Sequence, residues 1–476
     1  MSRRLRRRPL AGALTALALL AAAVSPDLAS AHGLVGKQDL PIPRWLFAWA
    51  ASLVLVVSFA GLAVLWPKPR LESLRERRVL RFPRFVDPLL GLLGVAFFVL
   101  FVYAGFAGAQ TATDNLVPTV VYVLFWVGIA FASALFGDIF RAVNPWRAVA
   151  RFVSWLTGLL WRGATPEPLP YPPRLGRWPA ALGILAFAWV ELSYANKDDP
   201  SILATMALAY TVVQLFGMSL YGIEPWERHG DAFAVYFGLF ARISPLRWER
   251  GTLYVRPPLC RVPRLDTVPG TLPLLCVMIG TTSFDGFSQG QAWNAIVPHL
   301  QSGFTDLGLT AEGPLEASFT IGLVGMVLLV AALYRAGIAG MPSVDRDDTS
   351  RDLARLFAHT LLPISLAYVV AHYFSLLAYQ GQATAYLVSD PLGNGNDIFG
   401  TAASSINYNV IGPNGIWYVQ VVALLAGHIS GLILAHDRAL TVYSDARDAT
   451  RSQYWMLTVM VAFTSLGLWL LSAAAQ

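Results

Sequence analysis

Apolar runs of about 20 residues recur along the chain and alternate with polar connections. Each run is long enough to cross roughly 30 Å of hydrocarbon as a helix, at about 1.5 Å of rise per residue. The pattern predicts ten membrane-spanning helices, at about 45–66, 87–109, 116–137, 178–194, 200–222, 269–285, 315–336, 356–380, 413–436 and 454–474. The predicted fold class is therefore all-α, a polytopic helix bundle in a membrane.

The first 31 residues have the pattern of a secretory signal peptide. A basic start (MSRRLRRRPL) precedes the short apolar core Leu10–Val24 and the small-residue motif Ala29-Ser30-Ala31. We expect cleavage after Ala31, and an uncleaved signal anchor is the alternative. The mature chain, 32–476, is then a single helical membrane domain.

Lysine and arginine are distributed unevenly between alternate connections. With the mature N-terminus outside, the five inner connections hold 27 of the 35 such residues (seven, six, seven, four and three in chain order). The positive-inside rule therefore predicts a multi-pass protein of the cell (inner) membrane, with both mature termini outside. Two outer loops are long, 286–313 and 381–412, and either cap a cavity that opens outward or are ordinary surface loops.

Composition supports the same class and narrows the partners. The chain is 55% hydrophobic and only 13% charged. Five arginines and one aspartate lie in the predicted signal, so the net charge of +6 falls to +2 after cleavage. The basic balance therefore reflects targeting and orientation, and the expected partner is the lipid bilayer, with no nucleic acid. No Walker-type phosphate loop is present, so ATP-driven transport is not expected.

Two inner turns share an x-Pro-Trp pattern, Asn144-Pro145-Trp146 and Glu224-Pro225-Trp226. Each is followed by an apolar stretch, Arg147–Leu160 and Asp231–Ile243. We expect both stretches to be helices that lie in the inner membrane interface. The spacing of 80 residues between the turns hints at an internal repeat.

Ionisable residues inside predicted spans mark the candidate site, since each costs roughly 2.5–3.5 kcal/mol to insert. Helical rise places His372 in the outer third of its span, at the estimated depth of Glu191, Asp285 and Gln420. One imidazole and two carboxylates suit zinc, manganese or iron. The sequence thus predicts either a divalent metal site of His372, Glu191 and Asp285, or an ion or proton pathway through the same residues.

The eighth span carries a stripe of polar residues on one face, namely Ser365, Tyr368, His372, Ser375 and Tyr379. Such a stripe either lines a cavity or forms a packing seam between helices. On the ninth span, Gly427 and Gly431 form a small-residue face that permits close helix approach. At its inner end, His436 and Asp437 are expected to be a solvated helix end.

An alternative metal site involves the new N-terminus. Cleavage after Ala31 would expose His32, whose amine and imidazole can chelate copper if a second histidine approaches. His299 is the histidine of an outer loop, so the two lie on the same side. The other interpretation is that His32 only follows a cleavage site.

Four segments carry a resemblance to a known family: His32–Trp49 (HGLVGKQDLPIPRWLFAW), Ser283–Ser288 (SFDGFS), Ala367–Ser375 (AYVVAHYFS) and Gly427–Ala439 (GHISGLILAHDRA). In these segments the chain resembles the bacterial membrane protein family named fenitrothion hydrolase. The resemblance implies a multi-pass membrane hydrolase that acts on lipophilic organophosphate esters.

On this hypothesis the catalytic residues are His372, Glu191 and Asp285, as ligands of a metal that activates water. Tyr368 or Gln420 would then orient the substrate.

Two other function classes use the same buried residues. A transporter or permease would use them as a proton or metal-ion path, and a structural membrane subunit would use them only to hold helices together.

Overall fold

The computed structural model describes residues 44–160, 167–249, 251–341, 350–443 and 445–473. It is 72% helical with almost no sheet, which confirms the predicted helical fold class. The predicted signal peptide, 1–31, and His32 lie outside the described residues.

Eighteen helices make up the described part of the chain. In order they are α1 (Arg44–Leu65), α2 (Val86–Ala107), α3 (Leu116–Phe136), α4 (Ile139–Val143), α5 (Pro145–Leu160), α6 (Trp178–Leu192), α7 (Pro200–Tyr221), α8 (Ile223–His229), α9 (Ala232–Ala241), α10 (Thr271–Ser288), α11 (Gln291–Asp306), α12 (Gly313–Ala339), α13 (Ser350–Leu356), α14 (Leu361–Gln380), α15 (Thr384–Ser389), α16 (Pro413–Val442), α17 (Ala446–Ser452) and α18 (Tyr454–Ala473). Within α3, Thr119–Gly128 has the wider turn of a π-helix. Short 3₁₀ turns occupy Leu71–Ser73, Ala358–Thr360 and Gly381–Ala383.

Six helical segments are long and apolar enough to cross a membrane: Val86–Ala107, Leu116–Phe136, Pro200–Tyr221, Gly313–Ala339, Leu353–Ser389 and Pro413–Val442. They coincide with six of the ten predicted spans. The other four predicted spans are helical too, as α1, α6, α10 and α18. α6 has only 15 residues, fewer than the 20 or so that a span on its own needs.

A small antiparallel sheet joins the connection between α1 and α2 to the connection between α9 and α10. Its strands are β1 (Arg77–Arg81), β2 (Leu246–Glu249) and β3 (Thr252–Val255), in the order β1-β3-β2. Hydropathy did not predict these strands, because β1 (RRVLR) is exposed at every position and so lacks the alternation that marks a half-buried strand. Arg247 on β2 contacts Glu76, the residue before β1, and strengthens the link.

α14 and α16 pack closely against each other. A β-carbon on Gly427 would lie 2.2 Å from the Ala367 β-carbon, and one on Gly431 would lie 3.2 Å from the Thr360 carbonyl oxygen. The two glycines therefore let the helix backbones approach closely, which confirms the predicted small-residue face.

The two stretches that follow the x-Pro-Trp turns differ in environment. α5 exposes an apolar face that includes Phe152 and Trp155, as expected of an interfacial helix. α9 instead has nine of its ten residues buried. The interface prediction for Asp231–Ile243 is therefore wrong, because Phe233 and Tyr236 pack against the aromatic rings of α3 and α6.

The two long segments predicted as outer loops both contain helix. Most of 286–313 is the helix α11. Segment 381–412 contains α15 and an irregular stretch pinned by a bond from the Ser389 hydroxyl to Asp397. The Ala109 N–H donates to the Leu392 carbonyl, so this segment packs against the link between α2 and α3.

The C-terminal part of α16, predicted to be its inner end, is buried where it carries His436 and Asp437. His436 is 1% exposed and Asp437 is 2% exposed, so the prediction of a solvated helix end is wrong. One carboxylate oxygen of Asp437 accepts hydrogen bonds from the Trp66 indole and from the Arg70 backbone N–H, at 2.9 and 2.7 Å. His436 contacts the Trp66 carbonyl through Nε2. Packing of the chain after α1 against this end buries both side chains.

Candidate functional site

An aspartate–histidine pair lies between α10 and α14. The Nε2 atom of His372 is 2.8 Å from Oδ2 of Asp285, and the two side chains are 16% and 13% exposed. Sequence analysis placed both residues at one depth on different helices. The structure brings them into direct contact.

The local sequence explains how α10 can hold the buried Asp285 carboxylate. The hydroxyls of Thr281, Thr282 and Ser283 donate to backbone carbonyls one turn earlier, so these buried polar groups are satisfied within the helix. Gly286 faces the imidazole, since a β-carbon there would lie in van der Waals contact with Nδ1 of His372, at 3.5 Å. The helix thus presents Asp285 to His372 without a side chain between them.

Glu191, the third predicted residue, belongs to the same cluster. It reaches the pair through Tyr373, whose side chain interacts with both carboxylates, Glu191 and Asp285. Tyr373 also lies near Trp126, which belongs to the π-helical part of α3 and whose indole Nε1 forms no hydrogen bond with a described residue. Segments of π-helix occur frequently at functional sites. Four helices, α3, α6, α10 and α14, therefore contribute to one polar cluster.

Three members of the cluster were not predicted: Tyr373, Gln289 and Trp126. The Gln289 amide donates to Oδ1 of Asp285 at 3.2 Å. A signal existed for Gln289, because it lies four residues after Asp285, a spacing that joins side chains on a helix. Tyr373 follows His372 directly, but adjacent helical residues point in different directions. Trp126 gave no signal in the sequence.

The cluster combines groups that can exchange protons. The Asp285 carboxylate lies beside the His372 imidazole, and the second carboxylate, Glu191, adds negative charge in a site of low dielectric constant. Two carboxylates close together oppose each other's ionisation, whereas a carboxylate stabilises a protonated imidazole beside it. The arrangement can therefore hold a proton among these groups.

The fit of a metal to these residues can be tested on geometry. Among the described residues, no group of three or more His, Cys, Asp or Glu side chains is arranged so that it could hold a metal ion. The described positions of His372, Asp285 and Glu191 thus do not form such a group, and metal binding by these residues rests on the sequence prediction alone. No step proposed below uses a metal.

The two predicted substrate-binding residues lie elsewhere. Tyr368 stacks on Phe463 of α18, with ring centroids 5.5 Å apart, and lies 6.3 Å from the His428 ring. Gln420 is half-buried on α16, and no hydrogen bond between described residues joins it to the cluster. Agreement in depth was correct for the pair and insufficient for Gln420, and the shared stripe on α14 does not bring Tyr368 into the cluster.

Below the pair, several buried polar atoms lack a hydrogen-bond partner among the described residues. In the α14–α16 region these atoms are His359 Nε2, Ser365 Oγ, Tyr368 OH and His428 Nε2. Nδ1 of His428 is 2.8 Å from the Leu424 carbonyl, so only one of its two ring nitrogens is satisfied. Buried polar atoms in native proteins nearly always have partners. Bound water beside these atoms would therefore be favourable.

A hydrolase motif also occurs beside the pair. Residues 286–290 (GFSQG) have the Gly-x-Ser-x-Gly spacing that surrounds the nucleophile of many hydrolases. Ser288 ends a helix, however, and its hydroxyl donates to the Asp285 carbonyl at 2.9 Å. The strand–turn–helix context of that motif is not formed at this position.

The alternative copper pair is only half within the described structure. His299 is exposed on α11, whereas His32 lies outside the described residues. The pair stays a prediction.

Comparisons of the chain with protein-family models, with curated proteins and with solved structures find no match. The resemblance to the fenitrothion hydrolase family therefore stays an expectation from the sequence, and the function has to be argued from the chemistry of the site.

Proposed function

We propose that this protein is a proton-linked membrane transporter in which the Asp285–His372 pair binds and releases the proton. The observation that carries the proposal is the 2.8 Å contact between a carboxylate and an imidazole inside the helix bundle. Ionisable residues kept within a membrane bundle characterise proton relays in pumps and transporters. Histidine suits this role because its charge changes near neutral pH.

The proton step changes a single bond. With Asp285 ionised, Nε2–H of His372 donates to Oδ2, which leaves Nδ1 to accept a proton. Protonation at Nδ1 forms an N–H bond and gives an imidazolium that the carboxylate stabilises. Release breaks the same bond and restores the starting state. Through Tyr373, the Glu191 carboxylate adds a second group that responds to this charge.

A path to the inner side follows α14. His359 and His372 are 13 residues apart, which corresponds to about 20 Å of helical rise. Ser365 and Tyr368 lie between them, and each has a buried polar atom without a protein partner. Leaving such an atom unpaired costs about 1–3 kcal/mol, so water bound beside it is favourable. A file of waters along these atoms would carry protons between the inner end and the pair.

The proposal includes the finer membrane topology. Ten spans cross the cell membrane after removal of residues 1–31, and both mature termini lie outside. Six apolar helices support this arrangement directly by their length and composition. The four other helices, α1, α6, α10 and α18, would cross as parts of the bundle, where neighbouring helices cover them.

Hydrolysis of lipophilic organophosphate esters is the second candidate. The residual exposure of His372 and Asp285 favours it, since a small molecule can reach a pair that is 16% and 13% exposed. His372, oriented by Asp285, would take a proton from water as the water oxygen bonds to phosphorus and the aryloxide leaves. The organophosphate substrate class rests on the sequence resemblance.

Infrared difference spectroscopy tests proton binding. Purified full-length protein is moved between pH 5 and pH 8, with His372→Asn, Asp285→Asn and His299→Asn as variants. We expect imidazole and carboxyl bands in the wild type that are lost in His372→Asn and altered in Asp285→Asn. The exposed His299 is the matched control, and its replacement should leave these bands in place. Identical spectra for wild type and His372→Asn would refute the assignment of the proton site.

Proteoliposomes separate transport from hydrolysis. With a pH gradient imposed and a panel of solutes added, a transporter should accumulate a solute unchanged, and His372→Asn should slow this at least tenfold. A hydrolase should instead release phenol from a chromogenic aryl phosphorothioate without a gradient. If the wild type shows neither activity and His372→Asn folds normally, both proposals are contradicted. The structural-subunit hypothesis would then remain.

A further inference from the structure

A second polar site lies at the other end of α10 from the Asp285–His372 pair, which is the proposed proton site. Arg177, which lines this second site, contacts Thr271, the first residue of α10. A cavity of about 280 Å³ opens between α4, α8, α9 and the β2–β3 hairpin. Its volume is close to the lower end of ligand pockets, about 300–1,000 Å³. Its charged lining consists of seven arginines and four acids: Arg141, Arg177, Arg228, Arg242, Arg247, Arg256, Arg261, Asp138, Glu224, Glu227 and Glu249. The lining therefore has three more basic than acidic residues.

The acids are already engaged. The ion pairs formed by lining residues are Arg141–Glu224, Arg141–Glu227, Arg147–Glu227, Arg247–Glu249, Arg247–Glu76, Arg256–Glu76 and Arg261–Glu76. Asp138 caps α4 by accepting the Arg141 backbone N–H. Within the described chain, this leaves three lining arginines that form no ion pair with a carboxylate: Arg177, Arg228 and Arg242.

Arg177 is the most unusual of the three because it is only 2% exposed. Its Nη1 donates to the Asp266 carbonyl and to the Thr271 hydroxyl, while its Nε has no partner among the described residues. Arg242 donates only to backbone carbonyls, those of residues 261 and 264. Neutral acceptors orient these guanidinium groups but do not neutralise them.

The positive charges of Arg177 and Arg242 are only partly balanced. Burial, together with repulsion from Arg242 and Arg228, lowers the pKa of Arg177 to about 10, although Asp266 offsets part of the effect. Burial also lowers the pKa of Arg242; Asp266 opposes this shift, and the neighbouring Arg261 and Arg228 add to it. A buried guanidinium with so little counter-charge is costly, so an anion placed between these residues would be favoured.

We infer that this cavity binds a phosphate-bearing anion. Guanidinium groups match phosphate oxygens with paired, charge-assisted hydrogen bonds. The cavity lies among the arginine-rich connections predicted to face the inner side, where basic pockets between helices bind anionic lipid headgroups. A phospholipid headgroup and free phosphate share this chemistry. None of the proton-site residues lines the cavity, so the inference does not depend on the proposed transport function.

The test is the melting temperature of the purified full-length protein in detergent, followed by tryptophan fluorescence. The probes are phosphatidylglycerol, phosphatidylcholine and inorganic phosphate, at matched ionic strength. Ligand that binds only the folded state raises the melting temperature. We expect stabilisation by phosphatidylglycerol, by inorganic phosphate, or by both, and none by phosphatidylcholine. A response to the lipid alone identifies a headgroup site, and a response to phosphate alone identifies a soluble ligand.

Variants locate the response in the cavity. Arg177→Gln and Arg242→Gln should each raise the half-saturating concentration about tenfold or more, since each removes a charge-assisted donor. Arg174 is exposed and lies outside the cavity, so Arg174→Gln is the matched control and should leave the half-saturating concentration unchanged. Arg228→Gln replaces an exposed lining residue and serves if the buried variants do not fold. An unresponsive wild type, or an equal loss in Arg174→Gln, would overturn the inference.

Discussion

Two aspartates in this bundle are held by different kinds of donor, and the difference separates structure from chemistry. Asp437 accepts from the Trp66 indole and from backbone N–H groups, none of which gains or loses a proton near neutral pH. Asp285 lies beside His372, and imidazole is the side-chain group whose unperturbed pKa is closest to neutral pH. Asp437 therefore fixes the fold, whereas Asp285 can take part in proton exchange.

Replacing Asp437 by alanine should destabilise the protein without changing proton binding. The Trp66 indole and the Arg70 N–H would lose their acceptor, at an expected cost of about 3 kcal/mol in the free energy of unfolding. Unfolding in a denaturing detergent measures this change. Glu312→Ala removes an exposed acid and should have almost no effect. A stability of Asp437→Ala equal to that of the wild type would show that these bonds contribute nothing.

Sequence reasoning found the site residues that share a depth, but not all of their neighbours. Helical rise correctly grouped Asp285 and His372, which touch, and Glu191, which joins them through Tyr373. The same reasoning included Gln420, which lies outside the cluster. Rise along a helix determines depth, while the direction in which a side chain points depends on helix packing that hydropathy does not contain.

At the scale of single elements, the close pairing of α14 and α16 rests on glycine. Gly427 meets the Ala367 side chain and the Pro363 carbonyl, so even a methyl group there forces the helices apart. Because His372 and His428 lie on these two helices, the pairing also determines where the polar atoms below the proton site lie.

Gly427→Ala should lower the melting temperature and the yield of folded protein. The added β-carbon would lie 2.2 Å from that of Ala367, an overpacking expected to cost about 1–3 kcal/mol. Gly325→Ala on α12 is the matched control, because nothing lies within 4 Å of a β-carbon at that position. Thermal unfolding in detergent compares the two variants. Equal melting temperatures would contradict the close-packing argument.

Short elements were the hardest to predict. α9 (AFAVYFGLFA) is as apolar as an interfacial helix face, yet it is buried among the aromatic side chains of α3 and α6. Hydropathy cannot separate these cases, since both environments remove apolar surface from water. The sheet was missed for the opposite reason, because β1 is exposed and rich in arginine.

The orientation of the whole molecule is open to a direct test. Asn196→Cys lies in the link between α6 and α7, and Arg84→Cys lies just before α2; both positions are exposed. We expect a membrane-impermeant thiol reagent to label the first in intact cells and the second only after permeabilisation. The native Cys260 and Cys276 are buried, so wild-type protein should give little background. The reverse labelling pattern would contradict the predicted topology.

The position of α1 in the bundle has a consequence for biosynthesis. α1 packs against α16 and α18, and its Phe59 ring contacts both His436 and Tyr454. Between Leu65 and Pro413 the ribosome must add about 350 residues, which takes roughly 20–70 s at about 5–20 residues per second. During this interval α1 has been made and its final partners have not. Docking of α1 onto α16 and α18 therefore cannot precede their synthesis, and in a nascent chain truncated before α16 lipid or a membrane chaperone must cover the face of α1 that these helices would cover.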